Sequence, residues 1–202
     1  MRKSIYVFPL VLLFAGMFMV SCLSSDDDDD IDEEWKLFNE QAFNKYGDNS
    51  DYTKLNALSN EGYIYWKRTS VITDSDKKEG RSDSDFGLRI SKDGYPEFTD
   101  SIVCRYIGWY FTKGGDKIIF DSTEGPKYGS TIDPNKVPAR FLISGGLIEG
   151  FRSAAQFMKK GDEREIVIPA NLGYGGATTS SIPAYTTLWF NIKILDIVQI
   201  TN

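Results

Sequence analysis

The stretch SIVCRYIGWYFTKGGDKIIFDS, residues 101–122, decides the fold of this 202-residue chain. Its first half alternates along a predicted β-strand, because successive side chains of a strand point to opposite faces. One face carries Ile102, Cys104, Tyr106 and Gly108, and the other carries Val103, Arg105, Ile107 and Trp109. Gly114-Gly115-Asp116 then supplies a tight turn, and residues 117–120 begin a partner strand. The stretch therefore predicts an antiparallel β-hairpin.

Downstream of this hairpin the sequence predicts three more strands and one helix. The strands cover residues 140–144, 163–168 and 187–198. Residues 148–160 carry apolar side chains at helical spacing, and Lys159-Lys160-Gly161 would end this helix, since cations and glycine are favoured at a helix C-terminus. We therefore expect an α+β fold, a curved antiparallel β-sheet wrapped around one α-helix.

Residues 32–98 are predicted to be an N-terminal extension that packs as an accessory and consists of a helix, a strand and a polar loop. The helix is predicted because four apolar side chains recur at spacings of three and four. These are Trp35, Phe38, Ala42 and Phe43. Residues 62–66 indicate the strand, and residues 73–85 the charged loop, whose aspartates do not have the spacing of a calcium loop.

The first 21 residues are predicted to be a lipoprotein signal peptide and not part of the fold. Arg2-Lys3 supplies the positive charge, and the apolar run 5–20 is short for a membrane span. The run ends in Ser21-Cys22, which is similar to a bacterial lipobox and implies cleavage before Cys22 and lipid attached to its thiol. An ordinary secretory peptide with a chance cysteine is the alternative.

Residues 22–31 include five consecutive aspartates and are interpreted as an acidic, self-repelling tether. A solvated spacer is the simpler interpretation. Ser24-Ser25 followed by acids also resembles the export signals of Bacteroidetes lipoproteins, which implies an outer-membrane location facing out of the cell rather than the periplasm. Calcium binding is disfavoured, because an extended chain does not direct its carboxylates at one centre.

Composition excludes several classes of protein. The chain has no histidine, which removes the usual general base, the commonest zinc ligand and the Ser-His-Asp triad. No metal or cofactor is therefore expected. The net charge of −6 disfavours a nucleic-acid partner. Cys104 alternates with Ile102 and Tyr106, so it is predicted to be a small buried core residue rather than a reactive thiol.

Five short motifs follow one another in the last hundred residues. They are Asp100–Gly108, Phe120-Asp121-Ser122, Ile148-Glu149-Gly150-Phe151, Ile168-Pro169 with Leu172–Gly175, and Ile182-Pro183-Ala184 with Thr187–Phe190. In this order and at this spacing they resemble the FKBP-type peptidyl-prolyl cis-trans isomerase family nearly end to end. We therefore place an isomerase domain at residues 99–202.

The resemblance implies a set of site residues. Four of them would act on the rotating bond: Asp121, Tyr174, Phe190 and Tyr106. Five would bind the substrate: Phe120, Leu147, Ile148, Phe151 and Ile182. The prolyl ring would lie on Phe151, the Ile148 backbone N–H and the Tyr174 hydroxyl would hold peptide carbonyls, and Asp121 would lie beside the rotating amide.

The sequence departs from the family pattern around the pocket. Phe151 replaces a frequent tryptophan, Ala139 stands where many members have phenylalanine, and the segment between Tyr174 and Pro183 is one residue shorter. The arginine that often pairs with the pocket aspartate has no counterpart in residues 122–138. These differences would affect substrate preference and the affinity for FKBP-directed macrolides more than the activity.

The leading hypothesis is a lipid-anchored isomerase that acts on proline-containing polypeptides and assists the folding of exported proteins. An apolar pocket suits this reaction, since twisting the X–Pro bond leaves a less polar carbonyl. A noncatalytic peptide-binding or chaperone module on the same fold is one alternative. A surface lipoprotein that binds glycan through exposed Trp109 and Trp189 is another. Tyr106, Ile148 and Phe190 would also suit a plain core, whereas an acid at position 121 favours a site.

Overall fold

A computed structural model of the protein describes residues 32–69, 94–123 and 137–198. The predicted signal peptide, Cys22, the acidic tether and the charged loop at 73–85 lie outside these ranges. Within the described ranges, no helix is both long enough and apolar enough to span a membrane.

The described residues form two α-helices and seven strands. The helices are α1 (Glu33–Asn44) and α2 (Glu149–Gln156), and short 3-10 helices cover Lys45–Asp48 and Ala170–Leu172. The strands are β1 (Thr53–Asn56), β2 (Tyr63–Arg68), β3 (Ser101–Phe111), β4 (Lys117–Ser122), β5 (Ala139–Leu142), β6 (Glu163–Ile168) and β7 (Leu188–Val198). The predicted α+β class with an N-terminal helix is confirmed.

All strand pairs in the described sheet are antiparallel, in the order β1-β2-β6-β7-β3-β4. The long strand β3 pairs with β7 along one edge. Its other edge pairs first with β5 and then with β4. The predicted hairpin turn is confirmed: Gly115 has a φ of +89°, and the Thr112 N–H donates to the Asp116 carbonyl at 2.9 Å. Strand β3 therefore holds together the strands that bear the predicted site.

The sheet carries a separate hydrophobic core on each face, because side chains alternate along its strands. Helix α2 covers one face, where Phe151 and Ala155 pack with Ile102 and Cys104. Helix α1 covers the other, where Phe43 packs in a cluster rich in aromatic rings. Cys104 is buried as predicted, and burial raises the pKa of its thiol to about 12.

The N-terminal extension contributes more to the sheet than the sequence predicts. Its described residues supply two strands rather than one, and β2 pairs with β6 from Tyr65–Val167 to Arg68–Arg164. The sequence motifs begin just after the predicted boundary near residue 99, but the sheet includes strands from both sides of that boundary. The extension is thus built into the same sheet.

Helix α2 is shorter than predicted, because it ends at Gln156 and not at Lys160. The Lys159 N–H donates to the Asp162 carboxylate at 2.8 Å. Asp162 and Gly161 also exchange backbone hydrogen bonds with Ile194 of β7, at 2.9 and 2.8 Å. These bonds form a turn that ties the chain to the sheet, so Gly161 belongs to this turn instead of capping the helix.

The expectation that Trp109 and Trp189 are exposed is wrong. Their exposed fractions are 4% and 1%, because both lie in the core beneath α1. The Trp189 indole donates to the Tyr46 hydroxyl at 2.8 Å, and its ring meets Phe111 edge-on at 5.0 Å. The two rings are therefore core residues, and the glycan-binding alternative loses its basis.

Candidate active site

A cavity of about 150 Å³ opens on the face of the sheet that α2 covers. Eight of the nine predicted site residues line it: Tyr106, Phe120, Asp121, Leu147, Ile148, Phe151, Tyr174 and Phe190. They come from β3, β4, β7, the N-terminus of α2 and the loop after β6. Residues up to 84 positions apart in the chain thus meet at one apolar site, where Asp121 supplies the only carboxylate among the described side chains that line it.

The floor of the cavity is a set of rings that meet edge to face. The buried Phe151 ring lies 5.3 Å from Phe190 and 5.9 Å from Tyr106, with interplanar angles of 86° and 85°. Phe120 contacts Phe190 at 5.4 Å and 84°. Such edge-to-face pairs are favourable beyond the area they bury, so the rings fix one another's orientation.

Gly108 allows Phe120 and Phe190 to approach each other across β3. It pairs with Phe190 of β7 and with Asp121 of β4, next to a register shift at Trp109. A Cβ at position 108 would lie 2.6 Å from Phe190 Cε1 and 2.7 Å from Phe120 Cζ. Both distances are too short for a real contact, so the two rings require glycine here.

Hydrogen bonds to the Glu149 side chain stabilise the N-terminus of α2. Glu149 accepts hydrogen bonds from Arg152, from the Ser153 hydroxyl at 3.0 Å and from the Ser59 N–H at 3.1 Å. Burial alone would raise the pKa of Glu149, but these bonds outweigh it and lower the pKa. Within the described part of the chain, the Ile148 N–H at the start of α2 has no hydrogen-bond acceptor. Like the first N–H groups of any helix, it is available to a ligand.

Two polar side chains of the cavity, Tyr106 and Asp121, are hydrogen-bonded to each other. The Tyr106 hydroxyl donates to Asp121 Oδ2 at 2.5 Å. Burial, together with this bond and the Asp121 charge, raises the pKa of Tyr106. Thr123 fixes the Tyr106 backbone, since the Tyr106 N–H donates to Thr123 Oγ1 at 2.8 Å. Asp121 lies at the exposed rim, so the acid beside the aromatic rings is solvated and hydrogen-bonded.

Tyr174 lies in the loop after β6 and is 40% exposed. Burial of its inner part, and secondarily the charge of Asp121, raises the pKa of its hydroxyl. Tyr174 therefore keeps its proton and can donate a hydrogen bond to a bound carbonyl.

Two residues differ from the sequence prediction. Ile182 is not among the residues that line the cavity, because its side chain is buried in the core cluster that contains Phe151 and Phe190. Phe141 of β5, which the prediction omits, does line it and lies 5.7 Å from the Tyr106 ring. Alternation along residues 139–142 could have identified it. Phe141 thus forms the wall near Ala139, where the sequence indicates a loss of aromatic surface.

No group of three or more Cys, Asp or Glu side chains in the described ranges is placed to hold a metal ion. This arrangement can bind a compact apolar group against the aromatic rings. Beside that group, the Ile148 N–H and the Tyr174 hydroxyl can donate hydrogen bonds to a peptide, and Asp121 places a carboxylate next to it.

Comparison with known proteins identifies relatives of this chain. Residues 93–195 match the family model described as FKBP-type peptidyl-prolyl cis-trans isomerase. The FKBP-type peptidyl-prolyl cis-trans isomerase FkpA of Aeromonas hydrophila is 30% identical over 126 residues, which cover 60% of this chain and 42% of that protein. FK506-binding protein 4 of Chaetomium thermophilum is 35% identical over 88 residues, covering 42% of this chain and 18% of that protein. The chain therefore spans less than half the length of these relatives.

Two solved structures share the fold. FkpA from Escherichia coli aligns with a TM-score of 0.55 at 20% identity, over 82% of this chain and 60% of that one. A peptidyl-prolyl cis-trans isomerase from Pseudomonas syringae aligns with a TM-score of 0.56 at 18% identity, over 83% and 96% of the two chains. At these identities the likeness supports the fold.

We predict that Gly108→Ala disorders the aromatic floor. The added Cβ would collide with Phe120 and Phe190, and overpacking of this kind costs about 1–3 kcal/mol. Urea unfolding should show that loss, and the near-ultraviolet circular dichroism should change. Gly114→Ala is the matched control, because its Cβ would have no neighbour closer than 3.6 Å. Equal stability of the two variants would contradict the packing described above.

Proposed function

Because the chain belongs to the FKBP-type peptidyl-prolyl cis-trans isomerase family, we propose that it catalyses the cis-trans isomerisation of X–Pro bonds in polypeptides. The observation that carries this proposal is the convergence of eight predicted site residues on one cavity. Retention of both Asp121 and Tyr174 at its rim favours catalysis over a binding-only module.

The proposed reaction depends on a difference in polarity between two states of the amide. Resonance stiffens the planar bond and gives a barrier of about 18–20 kcal/mol. The twisted bond has lost this resonance, and its carbonyl is less polar, so an apolar, water-poor site favours it over the planar state. The rings around Phe151 supply that environment.

The polar groups then orient the peptide. The Ile148 N–H and the Tyr174 hydroxyl would each hold a carbonyl on one side of the rotating bond, so that rotation is confined to the prolyl amide. Asp121, oriented by the Tyr106 hydroxyl, would place a fixed charge beside that amide. No covalent intermediate and no proton transfer is required.

We expect Asp121→Ala and Phe190→Ala to reduce kcat/KM for a proline-containing peptide by at least about tenfold each, since tenfold corresponds to only about 1.4 kcal/mol of transition-state stabilisation. A proline-limited peptide isomerisation assay of the full chain in mild detergent measures this. Asp116→Ala is the control, because it removes an exposed acid from the turn of the same hairpin. A wild-type rate no faster than buffer would leave the noncatalytic peptide-binding module.

The activity should not fall at alkaline pH until the tyrosines ionise. The pKa values of Tyr106 and Tyr174 are raised, so both hydroxyls stay protonated below the ordinary tyrosine value of about 10. The stability linked to their protonation is likewise complete below about pH 10 and is lost above it. Activity measured from about pH 7 to about pH 9.5 should be flat. A loss centred near pH 8 that disappears in Tyr106→Phe would contradict the raised pKa.

We further propose a location and a range of ligands. Attachment of lipid to Cys22 would place the domain on the cell envelope, with the acidic residues 22–31 as its tether. Its substrates would then be exported proteins whose folding rate is limited by proline isomerisation. Relatives named for FK506 binding support FKBP-directed macrolides as ligands of the same cavity, with Phe141 as part of their contact surface.

The anchor and its orientation can be tested in intact cells. Cys22→Ala should move the chain from the membrane fraction to the soluble fraction, because the acyl chains are lost. Protease added outside the cells should remove the wild-type domain if it faces outward. Protection from protease, with membrane attachment that still requires Cys22, would place the domain on the periplasmic side and contradict the surface location.

A further inference from the structure

We propose that helix α1 positions the flap, defined as residues 174–187, and thereby sets how tightly the cavity holds its peptide. The flap carries Tyr174 at its start and joins β7 at its end. Helix α1 lies on the opposite face of the sheet from α2, and its side chains do not line the cavity. This inference rests on the proposed function, because it concerns the same site.

The first contact is made by the indole of Trp35. Its N–H lies 3.0 Å from the Ala184 carbonyl and 3.2 Å from Thr186 Oγ1. Thr186 Oγ1 in turn donates to the Pro183 carbonyl at 2.7 Å. One side chain of α1 therefore holds the turn that follows the Ile182-Pro183 motif.

The second contact is made by Asn39, which is buried. Its side-chain oxygen accepts the Thr187 N–H at 2.8 Å, and its backbone carbonyl accepts the Thr187 hydroxyl at 2.9 Å. Its side-chain NH₂ donates to the Trp35 carbonyl at 2.9 Å. A buried polar group with its partners in place has a fixed geometry, so Asn39 fixes the point where the flap becomes β7.

The residue between these contacts is strained. Tyr185 has a φ of +57°, a left-handed conformation that is costly for a residue other than glycine and persists only where its surroundings enforce it. Its N–H donates to the Gly175 carbonyl at 2.7 Å, and Lys36 of α1 lies 5.3 Å from the centre of its ring. The strained turn is thus bonded on one side to α1 and on the other to the backbone next to Tyr174.

These contacts make Trp35 and Asn39 positioning residues rather than catalytic ones. If α1 loosens its hold, the turn at Tyr185 can relax, and the Gly175 backbone moves with it. The Tyr174 hydroxyl would then meet the peptide carbonyl less often, whereas Phe151 and Asp121 would be unaffected. Binding would weaken in the ground state and the transition state alike, which raises KM and leaves kcat unchanged.

The test compares Trp35→Phe with Leu37→Ala in the full chain. Trp35→Phe retains an aromatic ring and removes the N–H, whereas Leu37 is on the same helix and 54% exposed. In Trp35→Phe, amide hydrogen exchange at Tyr185 and Thr187 should accelerate at least about fivefold while β3 and β6 keep wild-type rates. KM should rise about threefold to tenfold with kcat within about twofold. Leu37→Ala should match the wild type.

Three results would overturn the proposal: wild-type exchange in the flap, faster exchange throughout the sheet, or a faster flap with unchanged KM. If the wild type has no isomerase activity, the proposed function fails, and the Kd of a proline-containing peptide replaces KM. A weaker Kd in Trp35→Phe together with a faster flap would then support the positioning role, and an unchanged Kd would overturn it.

Discussion

The rings of Phe120 and Phe190 cross β3 above Gly108 at a separation that leaves no room for a Cβ. This close approach sets the geometry of the cavity, because Phe190 in turn meets Phe151 edge-on. The approach requires β4 and β7 to lie on opposite edges of β3 in the observed register, with Gly108 paired to both strands. The antiparallel ladder thus determines where the aromatic floor lies.

The same ladder divides the molecule into a reacting face and a supporting face. Alternation along β7 sends Phe190 to the cavity side and Trp189 to the cluster under α1. Elements of the N-terminal extension therefore reach the site by two routes. Ser59, in the β1–β2 turn, binds Glu149 at the start of α2, and Trp35 binds the flap. Residues 32–69 of the extension thus support the cavity at two points, and none of their side chains lines it.

Local patterns in the sequence predicted most of the fold. Alternation and turn residues located β3, the Gly115 turn and β6, because these signals depend on neighbours in the chain. The end of α2 could not be predicted, since it depends on hydrogen bonds with Ile194. The burial of Trp189 likewise depends on α1, which lies some 150 positions earlier. Motif resemblance identified eight cavity residues, whereas the position of Ile182 depends on its packing in a core built from distant elements.

A site without histidine must favour its transition state with groups that keep one protonation state. Burial raises the pKa of Tyr106 and Tyr174, so the hydroxyls remain donors over the whole neutral range. The Tyr106 hydroxyl donates its hydrogen bond to Asp121, which fixes the carboxylate in one orientation. The Tyr174 hydroxyl remains free to donate to the peptide. Preorganised dipoles of this kind need no rearrangement as the amide twists. The rigidity of the aromatic rings is therefore part of the proposed mechanism, whereas the flap holds the peptide in place.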